Sequence, residues 1–182
     1  MNIRDFDSHP IACICEGVAE LVIMNILLDN HLLVFEREQL IDSEFIRRPA
    51  VKDFERKYLR REYDNAIIIL RIIDSRSEQF NLRKAYEHQV KEIIKVITAP
   101  EIEILIIVAM KKYESYIKSR KKPSDYCVQD LGLKNVKSRD FYEAFFSDPD
   151  LLVNTIHEYH RLHKQLPHES SLYDLLDVFT KK

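Results

Sequence analysis

Ile11-Ala12-Cys13-Ile14-Cys15-Glu16-Gly17 is the stretch on which the fold turns. An apolar run stops at an acid and a glycine, and Val18-Ala19-Glu20-Leu21-Val22-Ile23-Met24 then opens a helical pattern. This order puts Glu16 at the C-terminal end of a buried strand, the edge at which open α/β sheets hold ligands. A carboxylate there is suited to metal ligation or to acid–base work.

Working outward, a helix is expected over 18–30, with Leu21, Met24, Ile26, Leu27 and Leu28 apolar at helical spacing. Leu32 to Glu36 is a short apolar run read as a second strand. Val51, Phe54, Tyr58 and Leu59 give a helical pattern after Pro49. Asn65 to Ile73 is β-branched and nearly all apolar, as in a central parallel strand covered on both faces. It ends at Asp74-Ser75-Arg76. A polar connection or short helix over 77–86 leads to a strand at Ile93–Ile97. Thr98-Ala99-Pro100-Glu101-Ile102-Glu103 then has the proline and acids of a helix start, and the helix is expected to run to Ser119. Beyond the break at Lys121-Lys122-Pro123 only helices are expected, near 124–131, 139–146, 150–163 and 170–179. The result is a three-layer α/β core over 1–119, with a mainly parallel sheet, and a helical extension over 120–182 packed on it as one globular unit.

Composition narrows the function. The net charge of −2 gives no global pull toward nucleic acid or an anionic membrane, so such binding needs a local basic patch. Three cysteines cannot all pair, and Cys13 and Cys15 sit inside an apolar strand, which points to a reducing, cytoplasmic setting. The polar first seven residues are unlike a signal peptide, and no apolar run approaches the ~18 residues of a membrane span. There is no Gly-rich phosphate loop, no Gly-x-Ser-x-Gly and no His-Glu-x-x-His, which disfavours nucleoside-triphosphate hydrolysis, serine hydrolysis and zinc proteolysis.

Acids follow three of the expected strands: Glu16, Asp74 and the pair Glu101/Glu103. In a parallel sheet these edges lie on one side, so the carboxylates can converge. Converging carboxylates repel and call for a cation, with Mg2+ or Mn2+ the natural oxygen-liganded choices. An ion so held activates water and steadies a phosphoryl oxygen. Glu20, one helical turn after Glu16, can face the same site. Each acid also has a structural reading. Glu101 and Glu103 suit a helix N-terminus, Asp74 suits a turn, and Glu20 suits a solvated helix face.

The motif Cys15-Glu16-Gly17-x-x-Glu20, with Ile72-Ile73-Asp74-Ser75-Arg76 and Pro100-Glu101-Ile102-Glu103 following in order, resembles Toprim-like domains. The likeness is closest to RloB-type proteins and OLD-family nucleases, and Leu131-Gly132-Leu133-Lys134-Asn135-Val136-Lys137 is similar to their lysine-bearing tail. It spans residues 11–137. The resemblance implies a Toprim-like Rossmannoid core and a Mg2+-dependent nuclease, or a related phosphodiester-processing enzyme, acting on DNA or RNA. It implies that Glu16 is an acid–base or metal residue and that Asp74 and Glu103 are metal ligands. Glu20 and Glu101 are further ligand candidates. Arg76 stands where the family has its second aspartate and cannot ligate metal; Glu78 is a possible substitute. Glu16, Arg76 and Lys137 are therefore the catalytic candidates. The implied setting is restriction or phage defence, with an ATPase or restriction-system partner. The alternative is a catalytically degenerate binding or regulatory module, which Arg76 favours. A small-molecule phosphoryl enzyme is a further alternative.

Arg76, Lys118, Lys121, Lys122, Lys134 and Lys137 are candidates for phosphate and nucleic-acid contact, with Tyr113, Tyr116 and Tyr126 available for base stacking. The competing readings are cations at helix C-termini and tyrosines packed in the core. His157, His160 and His163 lack a completing ligand set for zinc, and Cys13-x-Cys15 lacks redox spacing. The C-terminal helices offer an apolar face suited to a homodimer or to packing within the chain.

Overall fold

The computed structural model describes residue 6, residues 8–163, residue 166 and residues 168–177. It is an α/β structure with a four-stranded, all-parallel sheet, compatible with a Rossmann-like core. The strands β1 (Ile11–Cys15), β2 (Ile46–Arg47), β3 (Ile67–Ile73) and β4 (Val90–Ile97) lie in the order β2-β1-β3-β4. Among the described residues, no helix is long and apolar enough to cross a membrane.

The two central strands, β1 and β3, are buried along their whole lengths, as their near-continuous apolar composition requires. Alternate residues feed two cores. Cys13, Cys15, Ile68, Leu70 and Ile72 face the larger one, built with α1 (Val18–Asp29), α4 (Ile104–Ala109) and the C-terminal helices. Ala12, Ile14, Ile67 and Ile69 face the smaller one, with Phe54 and Tyr58 of α2 (Val51–Tyr58) and Phe80. The remaining helices are α3 (Lys84–Glu87), α5 (Tyr113–Ser119), α6 (Pro123–Gln129), α7 (Arg139–Phe145) and α8 (Pro149–Leu162).

Three expectations need correction. The run Leu32–Glu36 is not a sheet strand. Leu33 makes one antiparallel bridge to Leu176, and Leu33 and Phe35 are apolar because they are buried against the larger core. The second strand is instead the two-residue β2 beside β1. The single helix expected to end at Ser119 is two helices, α4 and α5. Lys111 adopts φ 56°, donates to Val108 O, and Lys112 donates to Ile107 O, which closes α4 with a Schellman motif. The helix expected over 170–179 is a short 3-10 turn at Leu172–Leu175, and Ser170 lies against β4, with Ile97 N–H donating to its carbonyl. Residues 178 and 179 of that expected helix, the last five residues of the helical extension, and most of the polar opening stretch lie outside the described residues.

Candidate functional site

The parallel register brings the ends of β1 and β3 together. Cys15 is level with Ile72, and the N–H of Glu16 donates to Ile72 O at 3.0 Å. Beyond that point the two chains diverge and leave a cleft of about 190 Å3. Its walls include Glu16, Gly17, Glu20, Asp74, Glu101, Glu103 and Lys137. All five acids singled out from sequence thus line one cleft, although they come from three separate stretches of chain.

Each acid is held by its local structure. Glu16 Oε2 accepts from the Asp74 N–H at 3.0 Å. Glu20, the third residue of α1, turns back so that Oε2 accepts from the Gly17 N–H at 3.1 Å. Glu103 immediately precedes α4, and Glu101 lies two residues before it. Glu101 Oε2 accepts from Ser124 N–H at 2.9 Å, which ties the cleft to the start of α6.

The electrostatics are those of crowded anions. Glu20 is 6% exposed, and burial, reinforced by the charges of Glu103 and Glu16, pushes its carboxyl up to about 7. Burial also raises Glu103, with Glu101 and Asp74 adding to the rise and Lys137 opposing it. Glu16 is raised by burial and by the Asp74 charge, against the Asp74 N–H and Arg48. Cys127, behind the cleft, is pushed up to about 12 by burial and then by Glu103 and Glu101.

Among the described residues, no group of three or more His, Cys, Asp or Glu side chains is arranged to hold a metal ion. Several of the cleft's carboxylate oxygens are engaged within the protein. Glu16 Oε1 is paired with Arg48 Nη1 at 2.6 Å, while its other oxygen takes Asp74 N–H, and Glu20 and Glu101 each accept from a backbone N–H. In donor chemistry the set still fits a hard divalent cation: all side-chain ligands are carboxylate oxygens, and three of the carboxyls are raised by burial and by one another's charge. Glu16 would have to release Arg48 to join them.

Of the six basic candidates, Lys137 alone lines the cleft. Arg76 turns the other way. Its Nε donates to Glu169 Oε1 at 2.6 Å, and it lines a neighbouring, largely apolar cavity with Thr98, Tyr159 and His160. Lys121 pairs with Asp130 at 2.5 Å, while Lys118, Lys122 and Lys134 are exposed around α5 and α6 and do not reach the cleft wall. Tyr116 and Tyr126 pack edge to face in the core at 5.5 Å, and Tyr113 tilts against Tyr116, so these rings are packing groups. His160 stacks on Tyr173 and His163 on Tyr159. Cys13, Cys15 and Cys127 are free and buried.

Glu78 does not line the cleft, and both its oxygens meet arginines. Oε2 meets Arg48 Nη2 at 2.8 Å and Oε1 meets Arg71 Nη2. Arg71 sits in the middle of β3, is 1% exposed, and holds its guanidinium over the Phe80 ring. This network of Arg48, Arg71 and Glu78 escaped the motif reading. The signal for Arg71 was a single charge inside the apolar run Ile67–Ile73. Arg48 had no such signal, since its place depends on the two-residue β2. Comparison of the chain with family models, with curated proteins and with solved structures finds no match.

Proposed function

We propose that the acidic cleft binds Mg2+ or Mn2+ and processes phosphodiester bonds of DNA or RNA, as a metal-dependent nuclease or a close relative of one, on a Toprim-like core. The observation that carries this reading is the meeting of Glu16, Glu20, Asp74, Glu101 and Glu103 with Lys137 in one cleft at the strand C-termini. Glu16, Asp74 and Glu103 would hold the ion, with Glu20 and Glu101 beside them. When bound, such an ion supplies an activated water and charge stabilisation at a phosphoryl oxygen. Lys137 faces Glu103 and brings a positive charge to the same wall. Glu20, raised to about 7, is divided between its protonated and ionised forms near neutral pH and can both give and take a proton there. The resemblance adds a setting in restriction or phage defence beside an ATPase.

The test is incubation of the purified protein with plasmid, single-stranded DNA and transfer RNA in Mg2+ or Mn2+. Cleavage that disappears in Asp74→Asn supports the assignment. Cleavage that persists unchanged in that variant removes it.

A second reading, a binding or regulatory module without catalysis, is favoured by one observation. Arg48 already neutralises Glu16, and Arg76, at the position of the family's second aspartate, points out of the cleft. Metal binding without cleavage of any of these substrates is its signature.

A further inference from the structure

Glu16 joins the acidic cleft to a chain of alternating charges. Its Oε1 pairs with Arg48 Nη1 at 2.6 Å, Arg48 Nη2 pairs with Glu78 Oε2 at 2.8 Å, and the other oxygen of Glu78 is held by Arg71. The two arginines differ in kind. Arg71 is sealed in β3 with Phe80 against its face, so it serves as a fixed anchor. Arg48 follows β2, and its side chain is 48% exposed beside Glu16. Its backbone is also fixed, the N–H donating to Cys15 O at 2.9 Å.

We propose that Arg48 is a phosphate-binding residue of this site, held in reserve by Glu16 and released when Glu16 turns to a cation. The geometry provides a hinge. Glu78 is pinned by buried Arg71, so loss of the Glu16 contact leaves Arg48 tethered through Nη2 with Nη1 open beside the cleft. The open Nη1 is suited to a charge-assisted bond with one oxygen of a phosphoryl group, and Glu16 Oε1, partly buried, is its present stand-in. Cation and phosphoryl anion then assist each other. A cation that draws Glu16 away frees the anion site, and an anion on Arg48 frees Glu16, with equal coupling in both directions. The hand-over rests on the reading of the cleft as a cation site, whereas the phosphate affinity of Arg48 is testable with no metal present.

The experiment is a calorimetric titration in EDTA-containing buffer, with inorganic phosphate and with a dinucleotide bearing one internal phosphodiester. Wild type, Glu16→Gln, Glu20→Gln and the double variant Glu16→Gln/Arg48→Met are compared, each checked for cooperative thermal unfolding. Glu16→Gln removes the competitor, and binding of at least one probe is expected to tighten roughly threefold to fivefold, the scale of an exposed ion pair. Addition of Arg48→Met abolishes the gain. With all titrations run at pH 8, where Glu20 is mostly ionised, Glu20→Gln removes a neighbouring negative charge without freeing Arg48 and does not reproduce it. No tightening in Glu16→Gln, an equal gain in Glu20→Gln, or a gain surviving Arg48→Met overturns the proposal. Should Glu16→Gln fail to fold, Mn2+ added to the wild type replaces it. Phosphate binding then tightens in the wild type and stays flat in Arg48→Met, and equal behaviour of the two overturns the proposal. A wild type that binds no Mn2+ removes the cation reading, and the metal-free comparison of wild type with Arg48→Met then decides: weaker probe binding in Arg48→Met supports the proposal, and equal binding overturns it.

Discussion

The Asp74 backbone N–H donates to Glu16 Oε2 at 3.0 Å across a sequence separation of 58 residues. The bond locks the end of β1 to the end of β3 and turns Glu16 into the corner post of the cleft. Its other oxygen is on Arg48. Glu16→Gln keeps an oxygen for the Asp74 N–H but loses the charge. The expected result is a drop in Mn2+ affinity of at least roughly tenfold, measured by calorimetry. Unfolding free energy is expected to stay within about 1 kcal/mol of wild type, because Arg48 is half-exposed and the lost pair is screened. Equal Mn2+ binding by the two proteins would count against Glu16 as a ligand.

Glu20 makes the fold pH-sensitive. Its folded-state carboxyl is raised from 4.5 to about 7, so the native state binds the proton more tightly than the unfolded chain does. Below pH 4.5 both states are protonated and no penalty exists. As pH rises toward 7 the native state must bury a charge, and stability falls. The loss is on the order of 3 kcal/mol, at about 1.4 kcal/mol for each unit of difference. Urea unfolding at pH 5.5 and pH 8 captures the upper part of that fall and should differ by about 2 kcal/mol. Glu20→Gln, whose amide oxygen still accepts from Gly17 N–H, should flatten that difference and be the more stable protein at pH 8. A wild type equally stable at both values would refute the assignment.

Arg71 and Glu78 should respond asymmetrically. Arg71 is fully buried, and its Nε and Nη1 have no hydrogen-bond partner. Arg71→Met removes the buried charge for a side chain of similar length and is expected to be neutral or to stabilise by about 1 kcal/mol or more. Glu78→Ala leaves the guanidinium buried and uncompensated, and should cost about 3–5 kcal/mol. Chemical denaturation of the two variants separates these outcomes; equal destabilisation would sink the claim.

The elements whose identity rests on local pattern were legible in the sequence. β1, α1, β3, β4 and a mainly parallel sheet follow from the apolar runs, while the two-residue β2 does not, and the convergence of Glu16, Asp74 and Glu103 follows from parallel strands sharing an edge. What was not legible depended on tertiary context. The break between α4 and α5 gave no glycine signal, because Lys111 takes the left-handed position. His31 does the same after α1, where Leu32 N–H reaches Leu27 O. A chain with only two glycines caps its helices with other residues, and boundaries blur accordingly. Arg76 was placed by its position two residues after Asp74, and Glu169, 93 positions away, captured it. A partner that distant leaves no mark in local spacing.

Tyr142 offers a test of packing close to the site. Its ring is fully buried in the larger core, its hydroxyl has no hydrogen-bond partner, and burial together with Glu103 and Glu20 raises its pKa. Tyr142→Phe deletes an unsatisfied polar atom and keeps the ring, so stability should rise by about 1 kcal/mol. A fall in melting temperature would show that the hydroxyl contributes a bond to the native state.

Gly17 tests whether the cleft tolerates change in its floor. Its backbone is extended, with φ −126° and ψ −174°, so alanine meets no conformational penalty there. The obstacle is the Glu20 carboxylate, because an added Cβ would stand 2.7 Å from Oε2. That oxygen is the far end of a side chain and can swing away, but in doing so it gives up the Gly17 N–H. Gly17→Ala is therefore expected to destabilise by only about 1 kcal/mol, the worth of one hydrogen bond, while displacing a carboxylate that faces Glu103 and Glu16. The informative measurement pairs thermal unfolding with Mn2+ titration. A small loss of stability alongside a several-fold loss of metal affinity places Glu20 among the working acids of the cleft. Unchanged metal affinity at the same stability cost makes Glu20 a helix cap and nothing more.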